Sequence, residues 1–252
     1  MTLTSVITIV KDHELGLRNT VSSVLLQSHT DLELIIVVGP SIDGTLTTAK
    51  DYEKSDSRIK VVQQSGRGIY PAMNEGIQNS SGETIWFMNA GDCFATPDVI
   101  SKTLEIMSTR TVGLLIGGYE IQGNSMRSYT PERIKKIGPA GFAFNRRGGC
   151  HQSMLFNAAT VKAVGGYDIR LKLASDFDLV LKVIRESGCL RIPILVTTIE
   201  PGGIADSNLG VVFQEKHLIR VNTFTNNPAI KLVSHIWTFL ANFKLKTRKP
   251  SM

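Results

Sequence analysis

The chain has 252 residues, 28 Lys and Arg against 22 Asp and Glu, and 42% hydrophobic residues, which fits one large domain or two small ones with a buried core and excludes a disordered chain. Twenty-two Gly and nine Pro follow no fixed period, no apolar run approaches a membrane span, and Cys93, Cys150 and Cys189 stand far apart with no CxxC pair; collagen-like, membrane-spanning, disulfide-framework and structural-zinc classes are set aside. The whole excess of six positive charges lies after residue 206, where seven basic residues meet one acid, so a neutral globule is followed by a basic segment.

Residues 5–10 are a β-branched run of strand length, and Leu17, Val21, Val24 and Leu25 recur at helical spacing. Residues 34–38 are apolar throughout, as in a strand covered on both faces. Residues 59–62 read as a third strand, Ala72, Met73 and Ile77 as a short helix closing near Gly82, and residues 84–88 as a fourth strand. Strands separated by helices imply right-handed crossovers and a largely parallel sheet. Thr96 as N-cap and Pro97 at the first position open a helix bearing Ile100, Leu104 and Met107. Residues 112–119 read as a strand and residues 123–149 as a loop-rich candidate lid. Residues 175–186 read as a helix with Ser175 and Asp178 spaced like a capping box, and residues 192–199 as a strand.

Residues 228–246 place Ile230, Val233, Trp237, Leu240 and Phe243 on one helical face, with Lys231, Lys244, Lys246 and Arg248 flanking or opposing it. Such a basic amphipathic helix suits either docking on the domain or an anionic membrane surface. Nucleic acid is not an expected partner, because the aromatic residues lie on the apolar stripe and no nucleic-acid motif is present. The division expected is residues 1–206 as an α/β domain and 207–252 as a basic helical tail. The N-terminus lacks a basic n-region and a cleavage site, so a cytoplasmic protein is expected.

In an open parallel sheet, ligands sit at the carboxyl ends of the strands. Three polar, glycine-containing loops follow three consecutive strands here: residues 39–45, 65–74 and 89–92. Asp92 closes a strand, where a carboxylate either holds a divalent cation or bonds its own turn. Asp176 and Asp178 open a helix; one carboxylate suits the helix terminus and the other can take a proton from an attacking hydroxyl. Asp178 is given the structural role and Asp176 the catalytic one. Asp43 either contacts a nucleotide or shapes its turn, Arg67 between two glycines suits a diphosphate, and His151 is either an acceptor contact or a structural residue. No GxGxxG follows the first strand, and no P-loop or GxSxG elbow occurs.

Together these stretches resemble family-2 glycosyltransferases of the GT-A fold, especially the bacterial enzymes of O-antigen and exopolysaccharide assembly. The resemblance covers about residues 3–206. It rests on residues 5–8, 20–27 and 41–45, on Gly68-Ile-Tyr-Pro-Ala-Met-Asn-Glu-Gly76, on Gly82-Glu83, on Asn89-Ala-Gly-Asp92, on Cys150-His-Gln-Ser153, on Gly165-Gly-Tyr-Asp168 and on Ser175-Asp-Phe-Asp-Leu179. It implies a Rossmann-like, mostly parallel twisted sheet flanked by helices, and inverting transfer of one sugar from a nucleotide diphosphate sugar to a hydroxyl. It also implies donor contacts at Thr8, Val10, Asp43, Arg67, Asn74 and Asn89, acceptor contacts at His151 and Gln152, Mg2+ or Mn2+ at Asp92, and Asp176 as general base. The implied acceptor is a polyprenyl-diphosphate-linked glycan at the inner membrane face, with the tail on anionic lipid. Two departures stand out: Val38 replaces the acid that usually precedes the turn, and Asn89 replaces the first acid of the DxD-type motif. The absence of a QxxRW motif points to single, non-processive hexosyl addition. The missing acid motivates the alternative of a catalytically silent GT-A-like protein that binds a glycan or a partner.

Overall fold

The computed structural model describes residues 2–123, 133–144, 150–203 and 208–247, and their side chains except at 237 and 239–247. Strands β1 (Thr4–Val10), β2 (Leu32–Val38) and β3 (Ile59–Gln63) are parallel, and β4 (Thr84–Phe87) lies parallel on the other side of β1. Successive side chains on a strand face opposite ways. Ile7, Ile35 and Phe87 therefore enter one core layer, while Val6, Ile36 and Trp86 enter the other. A strand covered on both faces must be apolar at both parities, which is why these runs stand out in the sequence.

Helices α1 (Glu14–Leu25), α2 (Thr45–Ser55) and α4 (Val99–Ser108) cover one face through Leu17, Val21, Ala49 and Ile100. Helix α3 (Ile69–Asn79) covers the other through Ala72, Met73 and Ile77. Beyond β4 the sheet becomes mixed. Strand β8 (Met154–Asn157) is antiparallel to β4 and to β6 (Leu114–Ile121), β9 (Cys189–Ile199) is parallel to β6, and the short β5 (Cys93–Phe94) and β7 (Lys135–Lys136) pair antiparallel with β9. The order is β3-β2-β1-β4-β8-β6-β9-β5. Because the chain moves outward from β1 to β3 and returns on the far side at β4, a topological switch point lies at the carboxyl ends of β1 and β4, the place where open α/β sheets bind ligands. Helices α5 (Pro139–Ala143), α6 (Ala158–Ala163) and α7 (Ser175–Ser187) complete the α/β body, with a 3-10 turn at His151–Ser153.

Two helix starts differ from expectation. Helix α4 begins after Asp98, because the Thr96 hydroxyl donates to the Asp98 carboxylate at 2.6 Å instead of capping the helix. Helix α7 has Ala174 at its N-cap, the Ser175 hydroxyl has no partner, and Asp178 pairs with Lys182 one turn on at 2.6 Å, so no capping box forms. Helices α2 and α8 (Leu209–Thr223) escape the sequence pattern because they bury so few apolar residues. The candidate lid at 123–149 lies largely outside the described residues, apart from β7 and α5.

The basic segment is two helices. Helix α8 packs on the body: Val212, Ile219 and Arg220 are buried, and Arg220 donates to the Ala143 carbonyl at 2.8 Å between the rings of Phe144 and Phe177. Helix α9 (Pro228–Thr247) packs on α8 through a 2.9 Å hydrogen bond between His217 Nδ1 and Ser234 Oγ. It leaves Leu232, Val233 and Ile236 exposed. The side chains of Trp237, Leu240 and Phe243 lie outside the described set.

Candidate active site

The chain leaves β1 through Asp12, a non-glycine residue in the left-handed region with φ 49°. That strain is held by its carboxylate, which accepts from Ile42 N at 2.7 Å, and by its own N–H, which donates to Ser41 Oγ at 3.1 Å. Asp43 accepts from Glu14 N at 3.2 Å and Thr45 N at 3.0 Å. The bonds to Thr45 hold its carboxyl below the ordinary range. Of the two readings of Asp43, the structure displays the turn-shaping one. Of the positions expected to contact the donor at the end of β1, Thr8 is fully buried and Val10 nearly so, and Thr8 Oγ1 has no hydrogen-bond partner. A mid-sheet strand residue has neighbours on both sides and both faces, and the first solvent-facing positions after β1 are Lys11 and Asp12.

The turn after β4 is held from α1. The buried Thr20 hydroxyl accepts from Gly91 N at 3.0 Å and lies 2.7 Å from the Asp92 carbonyl. Asp92 is 4% exposed; one carboxylate oxygen accepts from Glu200 N at 2.9 Å and the other from Gln152 Nε2 at 2.8 Å. Burial raises its pKa to about 6, against the pull of those two hydrogen bonds. These residues do not fit a divalent cation at Asp92: both oxygens are engaged by protein donors, Asn89 replaces the neighbouring acid, and among the described residues no three His, Cys, Asp or Glu side chains gather closely enough to hold one. The expected place for Mg2+ or Mn2+ at Asp92 therefore offers a single carboxylate already bonded to protein donors. Gly91 has φ 99°, and a β-carbon there would strike the Glu200 carboxylate. Gly91→Ala is therefore expected to cost about 2 kcal/mol, read by chemical denaturation.

The same turn connects to the catalytic candidate. Gln152, spent on Asp92, is also fixed by its carbonyl, which accepts from Trp86 Nε1 at 2.7 Å. Asn74, expected at the donor, is likewise bonded within the protein. The Asn74 amide donates to the Tyr167 carbonyl and accepts from Tyr167 N, both at 2.9 Å. His151 stands beside Gln152, with Nε2 3.3 Å from Asn89 Nδ2 and its ring edge-on to Phe87. Burial lowers the His151 pKa, so its imidazole is neutral at pH 7, although the Asp176 charge pulls the other way. Asp176, at the start of α7, also acts electrostatically on Tyr70, Tyr167 and Lys216. Its Oδ1 is buried with no hydrogen-bond partner, as are Asn89 Oδ1 and Tyr167 Oη.

Folding thus sorts the sequence candidates. Asp176 and Asn89 each keep a buried side-chain oxygen without a protein partner, His151 meets Asn89, and Arg67 is exposed. Asp43, Asn74, Gln152 and Asp92 spend polar atoms on protein partners, Val10 is buried, and Thr8 Oγ1 is buried with no hydrogen-bond partner. Sequence reasoning passed over Glu200, which bonds Asp92 through its N–H and lies 3.3 Å from His13 Nε2, and it passed over Tyr70 and Tyr167, stacked at 5.5 Å beside Asp176. Both tyrosines lie inside stretches quoted above for other residues. Glu200 follows directly on a strand, the signal that picked out Asp92.

Residues 5–164 match a sequence profile described as Glycosyl transferase family 2. An uncharacterized glycosyltransferase of Mycobacterium tuberculosis, Rv1514c, is 29% identical over 183 residues, spanning 71% of this chain and 67% of that protein. A PGL/p-HBAD biosynthesis glycosyltransferase of Mycobacterium bovis is 26% identical over 176 residues, 69% of this chain and 64% of that one. Among solved structures, S. aureus TarS 1-349 in complex with UDP superimposes with a TM-score of 0.72 at 16% identity, covering 88% of this chain and 66% of that one. The mannosyltransferase PcManGT from Pyrobaculum calidifontis, in complex with GDP-Man and Mn2+, gives 0.70 at 15% identity over 94% and 69%. At such identities the structural likeness speaks to the GT-A fold.

Proposed function

The chain belongs to glycosyl transferase family 2, and from that premise we propose that it moves one hexose, with inversion, from a nucleoside diphosphate sugar to a hydroxyl of a glycan acceptor. The observation that carries this reading is the unpartnered, buried Oδ1 of Asp176, set beside His151 and Asn89 at the carboxyl edge of the sheet. As the acceptor hydroxyl attacks the anomeric carbon, its proton passes to Asp176. The bond from that carbon to the diphosphate oxygen breaks, and the electron pair leaves on the nucleoside diphosphate. Arg67 and the backbone N–H groups opening α3 supply positive charge on the donor loop. Neutral His151 orients a hydroxyl without competing for the proton.

The acceptor is a polyprenyl-diphosphate-linked glycan of surface polysaccharide synthesis, of the O-antigen or exopolysaccharide kind, met at the cytoplasmic membrane face. Exposed Leu232, Val233 and Ile236 on α9, followed by four basic residues within 244–249, support surface attachment. No helix among the described residues is long and apolar enough to cross a membrane. Removing residues 228–252 deletes five basic residues, each worth roughly 1 kcal/mol near anionic lipid. Partition onto phosphatidylserine vesicles is expected to fall at least roughly tenfold, measured by co-sedimentation; unchanged partition at both low and high salt would remove the membrane from the proposal.

A screen of nucleotide sugars, read by thermal shift and nucleoside diphosphate release, tests the reaction. One donor is expected to stabilise the protein and turn over. Binding without turnover on any acceptor would favour the silent binding protein.

A further inference from the structure

Four consecutive backbone N–H groups lead into Asp176, and each donates to a side chain from a remote element. The Glu215 carboxylate on α8 accepts from Lys172 N at 2.7 Å, Leu173 N at 2.9 Å and Ala174 N at 3.0 Å. The Tyr70 hydroxyl on α3 accepts from Ser175 N at 3.1 Å. Lys172 N and Leu173 N belong to the segment just before α7, and Ala174 N and Ser175 N are its opening amides, which have no intrahelical partner. Helix α7 supplies none from its own sequence, since Ala174 occupies the N-cap and the Ser175 hydroxyl is unpartnered. The next residue on α8, Lys216, sets its ammonium 5.2 Å from the centre of the Phe177 ring, directly after Asp176.

We propose that Glu215 and Tyr70 are positioning residues for Asp176: between them they fasten the backbone that aims its carboxylate, one from the basic C-terminal segment and one from the helix behind the donor loop. The proposal rests on the reading of Asp176 as the base. It makes α8 a working part of the transferase rather than a tail. A carboxylate bridging three amides is a charge-assisted contact suited to this task, since it favours one backbone geometry at the helix terminus. Tyr70 is held in turn by its stack on Tyr167, whose backbone is bonded to Asn74.

The test is steady-state kinetics on full-length Glu215→Gln, Glu215→Ala and Tyr70→Phe, with Asp176→Asn alongside. Small misplacement of a catalytic group costs up to roughly 100-fold, so Glu215→Ala is expected to lower kcat by about 10- to 100-fold with donor KM and nucleoside diphosphate affinity within about twofold. Glu215→Gln keeps one acceptor oxygen and is expected to fall between it and the native enzyme. Tyr70→Phe keeps the ring stack and is expected to lose a few-fold in kcat. If Glu215→Ala does not fold, the other two variants carry the test. Native kcat in Glu215→Gln and Tyr70→Phe beside an inactive Asp176→Asn would overturn the positioning role and leave the base in place. A loss confined to donor KM would also overturn it. Native kcat in Asp176→Asn would overturn the base assignment itself.

Discussion

Asp176→Asn is expected to lower kcat by roughly 10²- to 10⁴-fold, the range that a positioned general base supplies. The amide keeps the shape of the carboxylate but cannot take the acceptor proton. Because Oδ1 makes no protein hydrogen bond, little that holds the fold is lost, and removal of a half-buried charge is not expected to lower the melting temperature. Donor KM and nucleoside diphosphate affinity are expected to stay within about twofold, since the proposed role sets this carboxylate against the hydroxyl that attacks rather than the group that leaves. Initial rates at saturating donor and acceptor, with isothermal titration of the nucleoside diphosphate, check both halves. A variant that loses donor affinity but keeps kcat would place Asp176 on the donor instead.

Asp92→Ala is expected to act on stability. It leaves Gln152 Nε2 and Glu200 N without acceptors in a buried place, at a cost of about 3 kcal/mol at pH 5. The pH dependence has a definite sign. Burial raises the native pKa of Asp92 from 3.8 to about 6, so the folded state holds a proton that the unfolded chain has released. The stability this adds is fully present below about pH 4 and is lost as pH rises through 6. The gap between native protein and variant is thus expected to be largest at and below about pH 4 and to shrink by pH 8, as read by urea denaturation at pH 4 and pH 8. A metal-ligand role would give another pattern: Mn2+ affinity down at least tenfold, with stability unchanged at either pH.

The first four sheet strands and the family were legible along the chain for a physical reason. Parallel strands buried on both faces must be apolar at every position, so residues 34–38 announce themselves, and glycine-bearing loops at their carboxyl ends follow in order. The docking of α8 was not legible within the expected helical tail, since it rests on Arg220 and Glu215 beside only two buried apolar residues, Val212 and Ile219. The Glu215 carboxylate meets amides about 40 residues away, a pairing that no local spacing encodes. The helix start at Ser175 was read correctly, but its cap was not, because the acceptors come from α3 and α8.

The candidate site divides along the same line. By itself the sequence determined that Asp92 closes a strand and that Asp176 opens a helix, and the family resemblance implied that they share one site with His151. Only the tertiary structure decided which of them have their hydrogen-bonding capacity filled by protein. A carboxylate or amide is chemically identical whether its lone pairs are free or filled. Asp92 is filled by a glutamine 60 residues on, and Asn74 by a backbone 93 residues on, while Asp176 keeps an oxygen free. Hydrogen-bond satisfaction is a property of neighbours in space.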